Sequence, residues 1–146
     1  MADITLRPAT QADDAAIKAL IRSAQINPMD LDWRRFLLAV TRDGEMVGCG
    51  QVKPHSDGTL ELASIAVRPA WRGRGIARLI IERLLAESPR PLYLTCASGL
   101  GPLYEKFGFR ALSEREMTPY FRRLSRLATA FMKLARGQTL LVMKLD

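Results

Sequence analysis

Arg72-Gly73-Arg74-Gly75-Ile76-Ala77 is the stretch of this chain best equipped for chemistry. Glycines let the backbone turn tightly and leave room for a bulky anion. The stretch follows a short apolar strand pattern, Leu60 to Val67, and opens a helical pattern from about Gly75 to Ala86. A helix start offers unpaired N–H groups and a partial positive charge. Strand, glycine turn and helix start together make a cradle for an anion, phosphate above all. Arg68, Arg72, Arg74 and Arg78 add full charges around it. A plain glycine turn with solvated arginines would read the same way, so the stretch alone leaves both readings open.

Length and composition bound what such a cradle serves. A chain of 146 residues is expected to form one domain with a core of its own. Hydrophobic residues at 48% and charged residues at 25% fit a globular protein. Met1-Ala2-Asp3 lacks the basic and apolar run of a signal peptide, and no segment approaches the ~20 apolar residues of a membrane span. Cys49 and Cys96 each lie in a strand-like segment and read as reduced, half-buried thiols of a cytoplasmic protein. No metal-ligand cluster is visible, and the lone His55, in Lys53-Pro54-His55-Ser56-Asp57-Gly58, reads as a loop residue. The net charge of +7 attracts anions. Between Met117 and Leu145 there is no acid, while Arg122, Arg123, Arg126, Lys133, Arg136 and Lys144 all occur. No nucleic-acid motif accompanies them, and aromatics do not interleave with the basic residues as stacking platforms require.

The elements that must position the cradle alternate in period. Ile4 to Arg7 reads as a strand ended by Pro8. Thr10 suits a helix cap, with Asp13 and Asp14 in the first turn and Ala16, Ile17, Leu20, Ile21 and Ala24 as the apolar stripe. Gln25 to Trp33 breaks the pattern. Phe36 to Thr41 and Glu45 to Val52 flank Asp43-Gly44, a hairpin signal, and Asp57-Gly58 turns the chain into Leu60 to Val67. Beyond the glycine helix, Leu92 to Cys96 is a strand, Gly101 to Lys106 a short helix, Gly108-Phe109 a turn into another strand, and Leu140 to Leu145 the last strand. The order predicts an α/β (α+β) fold: a mixed, mostly antiparallel twisted sheet of about six or seven strands flanked by helices. A Rossmann domain places its glycine turn after the first strand, and a P-loop needs Gly-Lys-Ser/Thr, so neither fits.

The residues so placed carry a resemblance. Arg72-Gly73-Arg74-Gly75-Ile76-Ala77 fits the Arg/Gln-x-x-Gly-x-Gly/Ala signature of the GNAT superfamily of acetyltransferases, and Ile65-Ala66-Val67-Arg68-Pro69 looks like the end of that family's fourth strand. Leu103-Tyr104-Glu105-Lys106-Phe107-Gly108-Phe109 resembles its second signature, Leu-Tyr-Glu-Lys-x-Gly-Phe. Two motifs in the right order are far more specific than either alone. The resemblance covers roughly residues 3 to 112 and the final strand, and implies a single domain over 1–146 with a helical insertion at 117–137.

It also implies chemistry. Such proteins move an acetyl group from acetyl-CoA, used as a co-substrate without a metal, to an amine. The turn Arg72, Gly73, Arg74, Gly75, Ile76 and Ala77 would grip the diphosphate through backbone amides. Main-chain groups of Ile65, Ala66 and Val67 would pair the pantetheine arm and stabilise the oxyanion of the tetrahedral intermediate. An alkylamine is protonated at pH 7, so a base is needed. Glu61, the only acid on the predicted fourth strand, is the leading candidate, with Asp30, Asp32, Glu114 and Glu116 as rivals and a solvated strand glutamate as the alternative. Tyr104 suits protonation of the departing thiolate, since a phenol of pKa ~10 can donate a proton to it; a core aromatic is the alternative. Many relatives carry an asparagine seven residues before this tyrosine. Here Ala97 stands there, and Ser98 is the candidate replacement.

Specificity in this fold belongs to the loop Ile26 to Arg34, where Asn27, Asp30 and Trp33 are candidate acceptor contacts, and to the segment before the last strand. In that segment Phe121, Leu124, Leu127, Ala128, Phe131 and Leu134 recur at helical spacing between basic residues, which predicts a basic amphipathic helix over Pro119 to Arg136. Packing on the sheet, a lid, a dimer contact or an acidic partner would each explain it. The expected function is an N-acetyltransferase acting on a primary amine of a small molecule or protein by direct attack, as a monomer or homodimer without a specific nucleic-acid partner. The alternative is a non-catalytic acyl-CoA sensing module or a basic-helix interaction protein.

Overall fold

A computed structural model of the chain describes residues 3–131 and 138–146. Chain order gives β1 (Thr5–Pro8), α1 (Asp14–Ser23), β2 (Phe36–Val40), β3 (Met46–Pro54), β4 (Leu60–Val67), α2 (Ile76–Glu87), β5 (Leu92–Ala97), α3 (Gly101–Glu105), β6 (Arg110–Ala111), α4 (Pro119–Phe131) and β7 (Leu140–Leu145). The strands follow the order β1-β2-β3-β4-β5-β7-β6, and the only parallel register recorded among the described residues is that of β4 with β5. The expected mixed, mostly antiparallel sheet with flanking helices is the observed one. The predicted helix over Pro119 to Arg136 is present as α4 to Phe131; its remainder, with Lys133, Leu134 and Arg136, lies outside the described residues. No helix among the described residues is long and apolar enough to cross a membrane.

The chain clusters into two compact units. The first comprises the described part of Met1–Lys53 together with Leu62–Pro89. Here β1 pairs antiparallel with β2, and β2 with β3, whose register shifts between Ala39 and Val40. All five residues of β2, Phe-Leu-Leu-Ala-Val, are buried, which suits a central strand covered on both faces. One cover is α1, whose Ile17, Leu20 and Ile21 pack with Phe36, Leu38, Val40, Met46 and Cys49. α1 starts where the sequence places it. The Asp13 carboxylate accepts the Thr10 amide at 2.7 Å and the Arg7 guanidinium at 2.9 and 3.0 Å, fixing a short 3-10 turn ahead of the helix. The other cover is α2, which buries Ile76, Ile80, Ile81, Leu84 and Leu85. It comes close because β3 carries Gly48 and Gly50 beneath it.

The second unit comprises Pro54–Glu61 and Arg90–Asp146. β7 pairs β5 from Leu92↔Leu145 to Ala97↔Leu140 and takes β6 on its other side. α4 packs its apolar face here: Phe121 is fully buried and stacks on Tyr93 at 5.1 Å, in a cluster with Leu112, Met117 and Val142. Its exposed face carries Arg122, Arg123 and Arg126, which with Pro119 and Leu127 line an open depression.

Candidate active site

The glycine turn belongs to the first unit. β4 ends at Val67, a 3-10 turn spans Pro69–Trp71, and α2 begins at Ile76. Gly73 and Gly75 stand at φ of 77° and 80°, the left-handed region that favours glycine. A methyl built on either would meet nothing within 4 Å, so the space outside the turn is open. The first hydrogen bond of α2 runs from the Leu79 amide to the Gly75 carbonyl at 3.1 Å. The amides before it are therefore the free donors of a helix start. The arginines brace the turn and stay exposed. Arg72 donates to the Val67 carbonyl at 3.2 Å, and Arg74 lies 4.7 Å over the Trp71 ring.

Upstream, Ile65 and Val67 are half-buried and Ala66 is buried. The strand is not regular there, because Ser64 has φ 60°, a left-handed conformation costing about 1–2 kcal/mol outside glycine. A buried polar chain holds it. Gln51, fully buried, donates to Ser64 Oγ at 2.9 Å and accepts from Arg35 Nε at 3.3 Å; Arg35 also pairs with Asp30 at 2.7 Å. The candidate acceptor residues thus have structural work of their own. Asp30 anchors Arg35, the exposed Asn27 side chain accepts the Met29 amide at 3.0 Å, and Trp33 packs on the core with Arg34 5.0 Å over its ring.

The second unit holds the candidate acid and base. Glu61, expected as a base or as a solvated strand glutamate, is 5% exposed. One carboxylate oxygen is 2.7 Å from His55 Nε2, and the other accepts from Thr95 Oγ at 3.5 Å. His55 lies in the β3–β4 loop as expected, but it is more than a loop residue, because its side chain is 12% exposed. The β3–β4 hairpin explains this, since the His55 amide donates to the Thr59 carbonyl at 2.9 Å and the tight Asp57-Gly58 turn folds His55 back beside Glu61. The imidazole is walled by aromatic rings, Tyr120 at 4.2 Å and 30° and the edge of Phe121 at 5.7 Å and 83°. Two ends of one hairpin separated by a turn signal were a visible clue to the pair. The rival acids are engaged at the surface: Asp32 caps the 3-10 turn at Trp33–Arg35, Glu114 pairs with Arg126, and Glu116 caps Ser113 and pairs with Arg110.

Tyr104 is half-buried on α3, its ring edge-on to Phe109 at 6.2 Å and 81°. Its carbonyl accepts the amides of Phe107 and Phe109, which closes the helix into the Gly108 turn. Burial, with Cys96 nearby, pushes the phenol up to about 12, so its proton is held throughout the physiological range. Both thiols are free and buried, and burial raises Cys96 to about 11 and Cys49 to about 12. Successive β5 side chains point to opposite faces. Thr95, with Glu61, therefore occupies one face of that strand, and Cys96, beside Tyr104, the other. One β5 edge is filled by β7 along its length; on the other, among the described residues, the single pair Glu61↔Tyr93 is registered. Ser98 is tied to the start of β7: its amide donates to the Thr139 carbonyl at 2.7 Å and its hydroxyl accepts the Thr139 amide at 3.2 Å. Among the described residues no group of His, Cys, Asp and Glu could hold a metal ion.

Residues 32–111 match the family model described as acetyltransferase (GNAT) domain. No curated protein matches the sequence. Among solved structures, N-acetylglutamate synthase from Neisseria gonorrhoeae, complexed with coenzyme A and N-acetyl-glutamate, superposes at a TM-score of 0.74 and 22% identity. The match covers 100% of this chain but 36% of that one, so this chain spans about a third of the synthase. A Mycobacterium tuberculosis protein in complex with CoA and NLQ gives 0.70 and 23%, over 97% of this chain and 99% of its own. Escherichia coli ElaA gives 0.68 and 16% over the full length of both. At these identities the structural likeness speaks for the fold.

Proposed function

The chain belongs to the GNAT acetyltransferase family, and from that premise we propose that it carries an acetyl group from acetyl-CoA to a primary amine by direct attack on the thioester. The observation that carries this reading is the turn at residues 72–77. Two glycines at positive φ deliver the free amides of a helix start to open space at the end of β4, with arginines at their flanks. That is a fit for a diphosphate, and similar structures hold CoA. The irregular backbone at Ser64 supports pairing of the pantetheine arm, and oxyanion stabilisation, by main-chain groups of Ile65, Ala66 and Val67. Ala97 stands where many relatives carry an asparagine, and the adjacent Ser98 is proposed to take over its contact.

In this reading Tyr104 protonates the leaving thiolate. Burial keeps the phenol protonated at neutral pH, so the proton is in place when the thiolate departs. Glu61 supplies the negative charge that draws the proton from the acceptor ammonium. Asn27, Asp30 and Trp33 are proposed to border the acceptor.

CoA release from acetyl-CoA across a panel of amines tests the proposal. The wild type is expected to release CoA with at least one amine. Tyr104→Phe is expected to bind CoA unchanged by calorimetry and lose about 10²-fold in kcat. Tight CoA binding without release from any amine would replace the enzyme by an acyl-CoA sensing module. Absence of CoA binding would remove both.

A further inference from the structure

We propose that His55 takes the proton from the acceptor amine and that Glu61 acts through it as a positioning residue. The inference rests on the acyl-transfer reading above and refines it. Glu61 is poorly placed to meet a substrate: its side chain is 7% exposed, and both carboxylate oxygens already face partners, His55 Nε2 at 2.7 Å and Thr95 Oγ at 3.5 Å. The imidazole, by contrast, has a second nitrogen. A carboxylate on Nε2 fixes the tautomer with hydrogen at Nε2 and the lone pair at Nδ1. Among the described residues no hydrogen bond to Nδ1 is recorded, and no fully buried side-chain nitrogen or oxygen is left without a partner, so Nδ1 reaches the solvent side of the ring. Tyr120 against one face and Phe121 edge-on hold the ring in this orientation.

Around His55, Glu61 and Asp57 come from its own hairpin, as does the buried Lys53 two residues before it, and Tyr120 comes from α4; Lys144 stands 5.8 Å over the Tyr93 ring. Asp57 is held below the usual carboxylate range, chiefly by the Thr59 hydroxyl and amide, with His55 a further contributor. An imidazolium here is thus met by two carboxylates.

The proton balance is complete. An N–H bond of the ammonium breaks, a bond forms at Nδ1, and the electron pair stays on nitrogen. The neutral amine attacks the thioester carbonyl. As the C–S bond breaks, Tyr104 protonates the thiolate, and the second proton shed by nitrogen restores the phenol through solvent. His55 then releases its proton, so each turnover yields amide, CoA thiol and one free proton.

His55 is the only histidine of the chain, so its ring signals are identified by NMR without mutagenesis. Its ring nitrogen signals are expected to report the Nε2–H tautomer in the wild type and to lose that preference in Glu61→Gln, because the carboxylate that fixes it is gone. His55→Gln places an amide donor where Nε2 stood. It is expected to keep Tm and the KM for acetyl-CoA, to lose at least about 10²-fold in kcat, and to replace the acidic limb of kcat/KM by a rise that continues toward the pKa of the amine itself. A His55→Gln enzyme with wild-type kcat and pH profile, beside an inactive Glu61→Gln, overturns this inference alone and makes Glu61 the direct base. An unchanged His55 ring tautomer preference in Glu61→Gln overturns the coupling. A wild type that releases no CoA with any amine brings down the parent reading, and this one with it.

Discussion

At the scale of single residues, burial separates groups that can react from groups that cannot. Cys96 lies on β5 next to Thr95, close to the candidate acid, yet it is 8% exposed and its thiol is raised to about 11; Cys49 is fully buried and raised to about 12. The thiolate is the nucleophile, so neither is armed near neutral pH. The folded protein is expected to give no fast reaction with Ellman's reagent at pH 8 and two equivalents after denaturation. Rapid stoichiometric labelling of Cys96 in the folded state would instead open that end of β5 to solvent. Residue types were legible in the sequence where one residue's chemistry sufficed: the thiols, the phenol of Tyr104, the only acid on β4. His55 was only partly legible, because its environment is built by two other segments. Glu61 comes from across a turn whose Asp57-Gly58 signal hints at the pair, but Tyr120 and Phe121 come from α4, and a lone histidine in a polar turn carries no sign of those rings. The partners that engage Asp30 and Trp33, Arg35 and the core under α1, were hidden for the same reason, since folding sets them.

At the scale of elements, glycines do two different jobs, and only one shows in a sequence. Gly73 and Gly75 announce themselves by motif and stand at positive φ. Gly50 reads as ordinary strand content, yet a methyl there would lie 2.6 Å from Ile65 Cδ1 and 2.8 Å from Ile80 Cγ2. The requirement comes from how closely α2 crosses β3, which no local pattern encodes. Gly50→Ala is therefore expected to lower stability by about 1–3 kcal/mol through overpacking. Gly75→Ala meets no neighbour but must hold φ near 80°, at about 1–2 kcal/mol. Its strain falls on the turn, so CoA affinity should suffer more than in Gly50→Ala. Urea denaturation and calorimetry with CoA check the pair; the opposite ranking in CoA affinity would detach the turn from diphosphate binding. Strands and long helices were legible because period and turn signals are local: β7 runs from Leu140 to Leu145 as expected, and Asp43-Gly44 closes the β2–β3 hairpin with Gly44 at φ 86°. The 3-10 turns at Gln11–Asp13, Trp33–Arg35 and Glu114–Glu116 were not, since three residues leave no periodicity to read.

At the scale of the whole molecule, the mixed sheet followed from element order, while its division into two compact units did not, because each unit takes residues from separate stretches of chain. Both units carry an acid-sensitive junction of one design. In the first, the Arg7 guanidinium, then the Thr10 amide and hydroxyl, hold Asp13 down at about 2. In the second, the Ser113 amide, then Arg110, hold Glu116 at about 2. A carboxylate whose folded pKa lies below its unfolded value binds fewer protons in the folded state. The stability it contributes is therefore complete above the unfolded value, about 4, and is lost as pH falls through the folded value near 2. The chain is already at +7 at neutral pH, so protonating its acids also raises self-repulsion over the same range. Unfolding free energy is thus expected to be level from pH 7 to 5 and to fall steeply between 4 and 2. Asp13→Asn is expected to be less stable than wild type at pH 6 and to converge with it near pH 2, because only the ionised Asp13 engages Arg7 fully. Glu116→Gln should behave the same way with a smaller gap, since that carboxylate is exposed and water screens its pairing. Urea midpoints across the range measure both. A gap between Asp13→Asn and wild type that stays constant down to pH 2 would assign the stabilisation to the shape of the cap rather than to its charge.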